Sequence, residues 1–423
     1  MQSLQNISII LGLKGVNVTE INHEITEAGI IALITVHPIN VLQSCPCCNN
    51  AEIIRNGVVG CRTIKHLKIA DTQCMIIAPR QRLKCNECRC NFTYQYDFVT
   101  GKERYTHAYK EQIYKISIGS TVSHGAALTE TPYRTAERFF KEIALRIAPL
   151  TMAAAMELAQ RSAKLILGID DFAIRKGHNY NTGIHDLRGE TFLGIAAGRT
   201  LPELRAYMEK NPELAALKPF AIVMDLAQAY HSFAAEFFPD AIRVADRFHV
   251  NRYIMDALNE VRRRVAKSLT PNARKELSQN KHILNKRNDS LSEEQQAKLN
   301  VLLKYSNDLK AVYELKEMLI DWYDLSANYQ AAKASFQRWV AKGHSYKIPE
   351  VEKALGTFEN WQDEIINYHR CRFTNAIVEG RNGKIKSLQR RRYFLRNRSF
   401  YEALICIECN AEIAKKELNR LFG

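Results

Sequence analysis

The chain has no long apolar run. Its longest, "ISIILGL" and "IIALITV", fall far short of the roughly 18 to 20 residues that cross a bilayer, so a membrane-spanning protein is not expected. The opening "MQSLQNIS" has neither the basic start nor the small-residue cleavage site of an export signal, and an exported protein is not expected either. Acidic residues run short: 45 Asp and Glu face 60 Lys and Arg, leaving a formal charge of +15. Such a surplus favours a polyanionic partner, and without a membrane segment the expected polyanion is nucleic acid. Cysteine is nearly missing outside one window. Eight of the eleven lie between Cys45 and Cys90, which is not how a disulfide-stapled secreted protein of this length would distribute them. What remains is an ordinary globular composition over 423 residues, enough for two to four domains and at least one substantial core.

Inside the cysteine window the spacing carries chemistry. "CPCC" presents Cys45 and Cys48, and "CNEC" presents Cys85 and Cys88, as two C-x2-C knuckles. Each such turn aims two thiolates at one tetrahedral ion, so the four are expected to hold one structural Zn²⁺. The segments between them, "AEIIRNGVVGCRTIKHLKIAD" and "CMIIAPRQRLKC", have the texture of strands broken by turns, and the whole reads as a zinc ribbon. Cys47 and Cys90 are adjacent spares that could substitute as ligands, whereas Cys61 and Cys74 are expected in the core. Cys406 and Cys409, in "CIEC", sit in a segment of helical apolar spacing and are expected on a packing face.

Beyond the ribbon the pattern turns helical. Tyr109, Ile113 and Ile116 predict a helix that Gly119 ends, and Ser120 or Thr121 can cap a short second one through Leu128. Thr131 and Pro132 open a third, with Ala136, Phe139, Phe140, Ile143 and Ile147 inward and Arg134, Arg138 and Lys141 outward. Three short helices with tight connections predict a helix-turn-helix whose last helix reads DNA.

Next comes "LILGIDDFAIRKGHNY", an apolar strand running into the adjacent carboxylates Asp170 and Asp171 and then Arg175 and Lys176. Charge that near a core needs a cation, solvent or a metal. Strands "YNTGIHDL" and "TFLGIAAG" follow, then a helix, the strand "FAIVMDL" ending on Asp225, another helix, and "AIRVAD" ending on Asp246. Three antiparallel strands followed by strand–helix alternation predict a ribonuclease-H-like mixed sheet, with Asp170 and Asp225 near strand ends, where sites in open sheets assemble. Because successive strand residues face opposite sides, Asp171 is not expected to share a site with Asp170; it is expected to hold Arg175 or Lys176. Long helical stretches then fill 251–370, an all-helical insertion. After it, in "RFTNAIVEGRNGKIKSLQRRRYFLRNRSF", Thr374 or Asn375 can cap a helix with Glu379 about one turn in. Arg381, Lys384, Lys386, Arg390, Arg391, Arg392, Arg396 and Arg398 form a basic tract without an acid, suited to tracking a DNA backbone.

The ordered set "GIDDFAIRKGHNY", "VMDLAQAYHSFAAEFFPDAIRVADRFHV" and "NAIVEGRNGKIKSLQRR", preceded by "CPCC" and "CNEC", resembles the DDE transposases of bacterial insertion sequences, specifically the ISL-three (ISL3) family, over nearly the whole chain. The resemblance implies catalytic, metal-binding roles for Asp170, Asp225 and Glu379, two Mg²⁺ or Mn²⁺ ions, and supporting roles for Asp171, Asp246 and His249. It further implies cleavage and transfer of strands at terminal inverted repeats, a homodimer or larger assembly on double-stranded DNA, and a bacterial cytoplasmic, nucleoid-associated setting. The expected division is 1–101 for N-terminal strands and ribbon, 102–150 for the helix-turn-helix, 151–250 and 371–423 for the two parts of the catalytic domain, and 251–370 for the insertion. A domesticated, catalytically silent DNA-binding regulator is the alternative, and the presence of all three acids argues against it.

Overall fold

The computed structural model describes residues 7–27, 29–40, 43–175, 179–392 and 397–422. The chain divides into two compact units, Met1–Leu150 with Arg391–Gly423, and Thr151–Arg390.

In the first unit, β1 (Val16–Thr26) and β2 (Gly29–Pro38) form one antiparallel hairpin, and β3 (Ile53–Lys65) and β4 (Gln73–Cys85) form another. The hairpins join through a parallel β2–β4 pairing, giving the order β1-β2-β4-β3, and the short β5 (Asn91–Thr93) adds to β4. The period-2 pattern of β4 buries Cys74, Ile76 and Ala78 completely against Ile34, Val36 and Ile64. Cys61 does not join that core. Two register shifts interrupt β3, between Arg55 and Val58 and between Val58 and Cys61, with positive φ at Gly57 and Gly60. From Cys61 to Lys65 the pairing with β4 is regular, so Cys61, three residues before buried Ile64, stands on the opposite face with its thiol exposed.

Three helices follow: α1 (His107–Ser117), α2 (Val122–Leu128) and α3 (Tyr133–Arg161); the last is 29 residues rather than the short helix expected, and its residues past Leu150 fall in the second unit. Thr106 and Thr121 cap the first two by accepting from the backbone of Tyr109 and His124. Gly119, at φ +74°, ends the first. Gly125 lets α2 close on α1, since a Cβ there would stand 2.3 Å from Ser117 Oγ. On α3 the five apolar residues predicted inward are all buried, and Arg134, Arg138 and Lys141 are exposed.

The compact units divide the expected 371–423 segment at Arg390. Residues past Arg390 belong to the first unit because the helix Arg398–Cys409 turns Tyr401, Leu404, Ile405 and Cys406 inward. Its Phe400 ring meets Phe140 edge-on at 6.2 Å, and Cys406 Sγ lies 3.6 Å from the Ala148 carbonyl. Both thiols of "CIEC" are buried, as expected.

The second unit is built on a five-stranded sheet. β6 (Ile166–Arg175), β7 (Asn179–Asp186) and β8 (Thr191–Ala197) run antiparallel; β9 (Ala221–Met224) and β10 (Ile242–Ala245) extend the sheet parallel to β6, in the order β10-β9-β6-β7-β8. β9 is buried along its whole length, as a parallel strand covered on both faces must be. Connections run through α4 (Leu201–Lys210), which carries a Thr200/Glu203 capping box, and α5 (Gln228–Phe237). Immediately after β10, α6 (Arg247–Ser268) leads into a run of helices that shares one continuous core with the sheet, from Val223 and Val244 to Leu315, Trp339 and Phe358. α7 (Ala376–Arg391) then returns to the sheet.

Candidate active site and metal centre

Register brings the acids together. Ile169 pairs with Met224 and Met224 with Ala245, so Asp170, Asp225 and Asp246 each stand one residue past the same level on three neighbouring parallel strands. The site lies at the carboxyl ends of β9 and β10, beside the middle of β6, which continues to Arg175. Donor atoms of Asp170, Asp171 and Asp225 lie within 4.8 Å of one another, and so do those of Asp225, Asp246 and His249. His249, in the first turn of α6, bridges two of the acids: its Nδ1 is 2.7 Å from Asp225 Oδ1 and 3.2 Å from Asp246 Oδ2.

Asp171 departs from its expected role. It pairs with Arg199 at 3.3 Å, and its carboxylate reaches the cluster it was expected to face away from. β9 stops at Met224 while β6 continues, so beyond that level β6 has an open edge over which side chains from both faces can lean. Arg175's side chain and Lys176, the expected partners, lie outside the described residues, as does Arg396.

Glu379 occupies the first turn of α7. Among the described residues it falls outside both 4.8 Å sets. It still belongs to the same neighbourhood, because burial first, and then the charge of Asp246, hold its carboxyl above the ordinary glutamate range. Burial, reinforced by Asp225 and Asp171, pushes Asp170 up to about 7. Burial also raises Asp225, although His249 opposes the shift, and hydrogen bonds to Asp225 and Asp246 raise His249 to about 10. Carboxylates crowded this closely repel one another, and a hard divalent cation is the partner that relieves such repulsion. The donor set therefore fits Mg²⁺ or Mn²⁺.

Two asparagines that sequence reasoning did not assign to the site fasten α7 to the sheet. Asn375, read only as a possible cap, donates its side-chain amide to the Ile169 carbonyl (3.1 Å), and its backbone N–H donates to Asp246 (3.0 Å). Asn382 donates to Asp170 Oδ2 at 2.8 Å. Gly168 makes room for this approach, since a Cβ there would stand 2.9 Å from Asn375 Oδ1 and 2.5 Å from Leu187 Cδ2. The only sequence signal was that both asparagines sit within "TNAIVEGRN", on either side of Glu379.

Arg381 is corrected. It is buried, donating to the carbonyls of Glu190 and Thr191 and lying 3.3 Å from His185 Nδ1, so it anchors α7 to the β7–β8 turn and cannot reach DNA. Helical geometry decides this: Lys384, Lys386 and Arg390 fall on the exposed face of α7, while Arg381 shares the inner face with Val378 and Ile385. In the first unit, Arg391 pairs with Glu408, Arg392 donates to the Ser117 carbonyl and covers the Phe140 ring, and Arg398 pairs with Glu402.

The first unit brings Cys45, Cys48, Cys85 and Cys88 together, with Cys45–Cys88 and Cys48–Cys85 sulfur separations of 3.5 and 3.6 Å. A tetrahedron with metal–sulfur bonds near 2.3 Å has edges of about 3.8 Å, so the four fit zinc. Cys47 and Cys90 lie side by side, 2.8 Å apart, at the edge of the cluster.

A four-thiolate ribbon in one unit and a carboxylate cluster at strand ends in the other define a zinc-ribbon protein with an acidic, metal-competent site. Residues 167–405 match the ISL3 DDE transposase family, and residues 42–88 match the zinc finger of the IS204/IS1001/IS1096/IS1165 transposases; the chain belongs to this transposase family. It is 26% identical over 351 residues to the transposase for insertion sequence element IS1001 of Bordetella parapertussis, covering 80% of this chain and 82% of that one. Similarity to the transposase for insertion sequence element IS1557 of Mycobacterium tuberculosis is 24% over 247 residues, 53% of this chain and 55% of that one. Among the described residues, no helix is long and apolar enough to cross a membrane.

Proposed function

We propose that this transposase binds the terminal inverted repeats of its element and cuts and joins DNA strands with Asp170, Asp225 and Glu379 as the acids that hold two divalent ions. The observation that carries this reading is the common level of the strand-end acids, beside a helix that brings Glu379 into their field. The sheet order, three antiparallel strands continued by two parallel ones, is that expected of a ribonuclease-H-like domain. When bound, the ions lower the pKa of the attacking water or 3′ hydroxyl and stabilise the leaving oxygen.

The chain's own residues supply the frame. Asn382 orients one Asp170 oxygen, leaving the other for a ligand. His249 holds Asp225 and Asp246 in one orientation, and Arg199 does the same for Asp171. α1 to α3 serve as the helix-turn-helix, with Arg134, Arg138 and Lys141 toward the duplex, and Lys384, Lys386 and Arg390 meet the backbone near the cut. Two ends must be held at once, which calls for a dimer or larger assembly on DNA.

The test incubates the full chain with labelled repeat-end duplex and Mg²⁺, alongside Asp170→Asn, Asp225→Asn and Glu379→Gln. Wild type should nick the end, and the three variants should bind it without nicking. Cleavage by Glu379→Gln at the wild-type rate would remove Glu379 from the assignment.

A further inference from the structure

The first unit contains a cleft that the proposed active site and helix-turn-helix do not use. It encloses about 830 Å³ between β3, β4, the segment that leaves the end of β5 and the loop before α1, and its lining includes Arg62, Arg80, Lys102 and Arg104 together with Tyr94 and Tyr96. The one acid on its wall, Glu103, is engaged by Lys110 at 2.5 Å. Arg62 is partly committed, donating to the Gly101 carbonyl and lying 5.7 Å from the Tyr96 ring centroid. Arg80, Lys102 and Arg104 are exposed and have no ion pair among the described residues.

Three uncompensated cations converging on a concave surface have a cost of mutual repulsion that an anionic ligand relieves. The state of the aromatic rings decides which anion. Tyr94 and Tyr96 are only 8% and 4% exposed, so neither offers a face on which an unpaired base could stack. With no stacking platform and a charged lining that is cationic apart from the engaged Glu103, the cleft suits phosphates rather than bases. We propose that it is a second DNA contact, gripping the phosphodiester backbone of duplex DNA regardless of sequence. This rests on the reading that the chain binds the DNA of its element, and it adds a site distinct from the outward face of α3.

Fluorescence anisotropy of the full zinc-loaded chain on a labelled duplex tests it, using repeat-end DNA, an unrelated duplex of equal length, and the matching single strand. Losing one phosphate contact should weaken binding roughly fivefold near 0.15 M salt by counterion release alone. Arg80→Ala/Arg104→Ala should therefore bind both duplexes about thirtyfold more weakly, with a log–log salt slope shallower by about 2. Lys102→Ala should weaken both about fivefold, with a slope shallower by about 0.9. Zinc content and the melting temperature should not change; if they do, Arg80→Gln/Arg104→Gln replaces the pair.

Wild-type affinity and slope in the double variant would overturn the cleft contact while leaving DNA binding by the chain intact. A loss confined to one duplex, or larger on the single strand, would also overturn it, as would displacement of duplex by inorganic phosphate beyond its effect on ionic strength, which would mark a small-anion site. Failure of the wild type to bind any duplex would overturn this inference together with the reading beneath it.

Discussion

Asn382 donates its side-chain amide to a buried oxygen of Asp170 across 2.8 Å, joining residues 212 positions apart. Both are nearly enclosed, so the bond fixes one carboxylate oxygen and ties α7 to the centre of the sheet. Asn382→Leu keeps the branched outline at a larger volume and strips Asp170 of this donor. The expected cost is about 1–3 kcal/mol, read from urea denaturation. End cleavage by the same variant should fall by more than its loss of folded protein explains, because the oxygen is no longer held.

Arg381 and its exposed neighbours should separate by experiment. Arg381→Met leaves the carbonyls of Glu190 and Thr191 without their buried donor, and the expected loss is about 2–4 kcal/mol of stability. Its salt dependence of DNA binding should match wild type. Lys384→Ala and Lys386→Ala should behave oppositely, each with near-wild-type stability and a salt slope shallower by about 0.9. A changed slope in Arg381→Met that is not matched by lost stability would return Arg381 to the DNA.

The metal-free site predicts a pH dependence. Asp170, raised to about 7 chiefly by burial, favours the fold most below its unfolded pKa, and that contribution disappears as pH rises toward 7. His249, raised to about 10 by Asp225 and Asp246, contributes fully below its ordinary value of 6.5 and loses its contribution as pH climbs through 10. Both groups therefore make the metal-free protein less stable with rising pH. The rise in melting temperature on adding Mg²⁺ should be larger near about pH 8.5 than near about pH 6, where protons compete for the same oxygens. Asp170→Asn should flatten the lower part of the metal-free profile. Equal Mg²⁺ stabilisation at both pH values would contradict this electrostatic picture.

Zinc removal distinguishes the cysteines. Cys45→Ser or Cys88→Ser should lower the metal content measured by atomic emission and reduce the melting temperature of the first unit, because the ribbon's knuckles are held together by the ion. Cys61→Ser alters an exposed thiol remote from that cluster and should stay within about 0.5 kcal/mol of wild type with full zinc. Prolonged chelation should reproduce the first result and not the second.

What the sequence by itself determined is what local pattern encodes. Knuckle spacing, strand alternation, helix caps and the placing of acids after apolar strand segments are properties of a few consecutive residues, so the four thiolates, the helices α1 to α3 with the inward faces of the first and last, and the strands that carry Asp170 and Asp225 were legible in the sequence. Tertiary structure alone decided the rest, because it depends on what distant segments place against a residue. Asp171 turned toward the acids because β9 ends short of β6 and leaves an edge open. Cys61 stayed outside the core because packing chose the face of β3 that carries Ile64, and Cys61, three residues earlier in a regularly paired stretch, stands on the other. One basic tract split into a buried anchor, Arg381, and exposed cations, since a helix packed on a sheet has an inside that a list of charges does not reveal. The asparagines that fasten α7 were invisible for the same reason: an amide acquires its role only when folding brings a carboxylate to it from two hundred residues away.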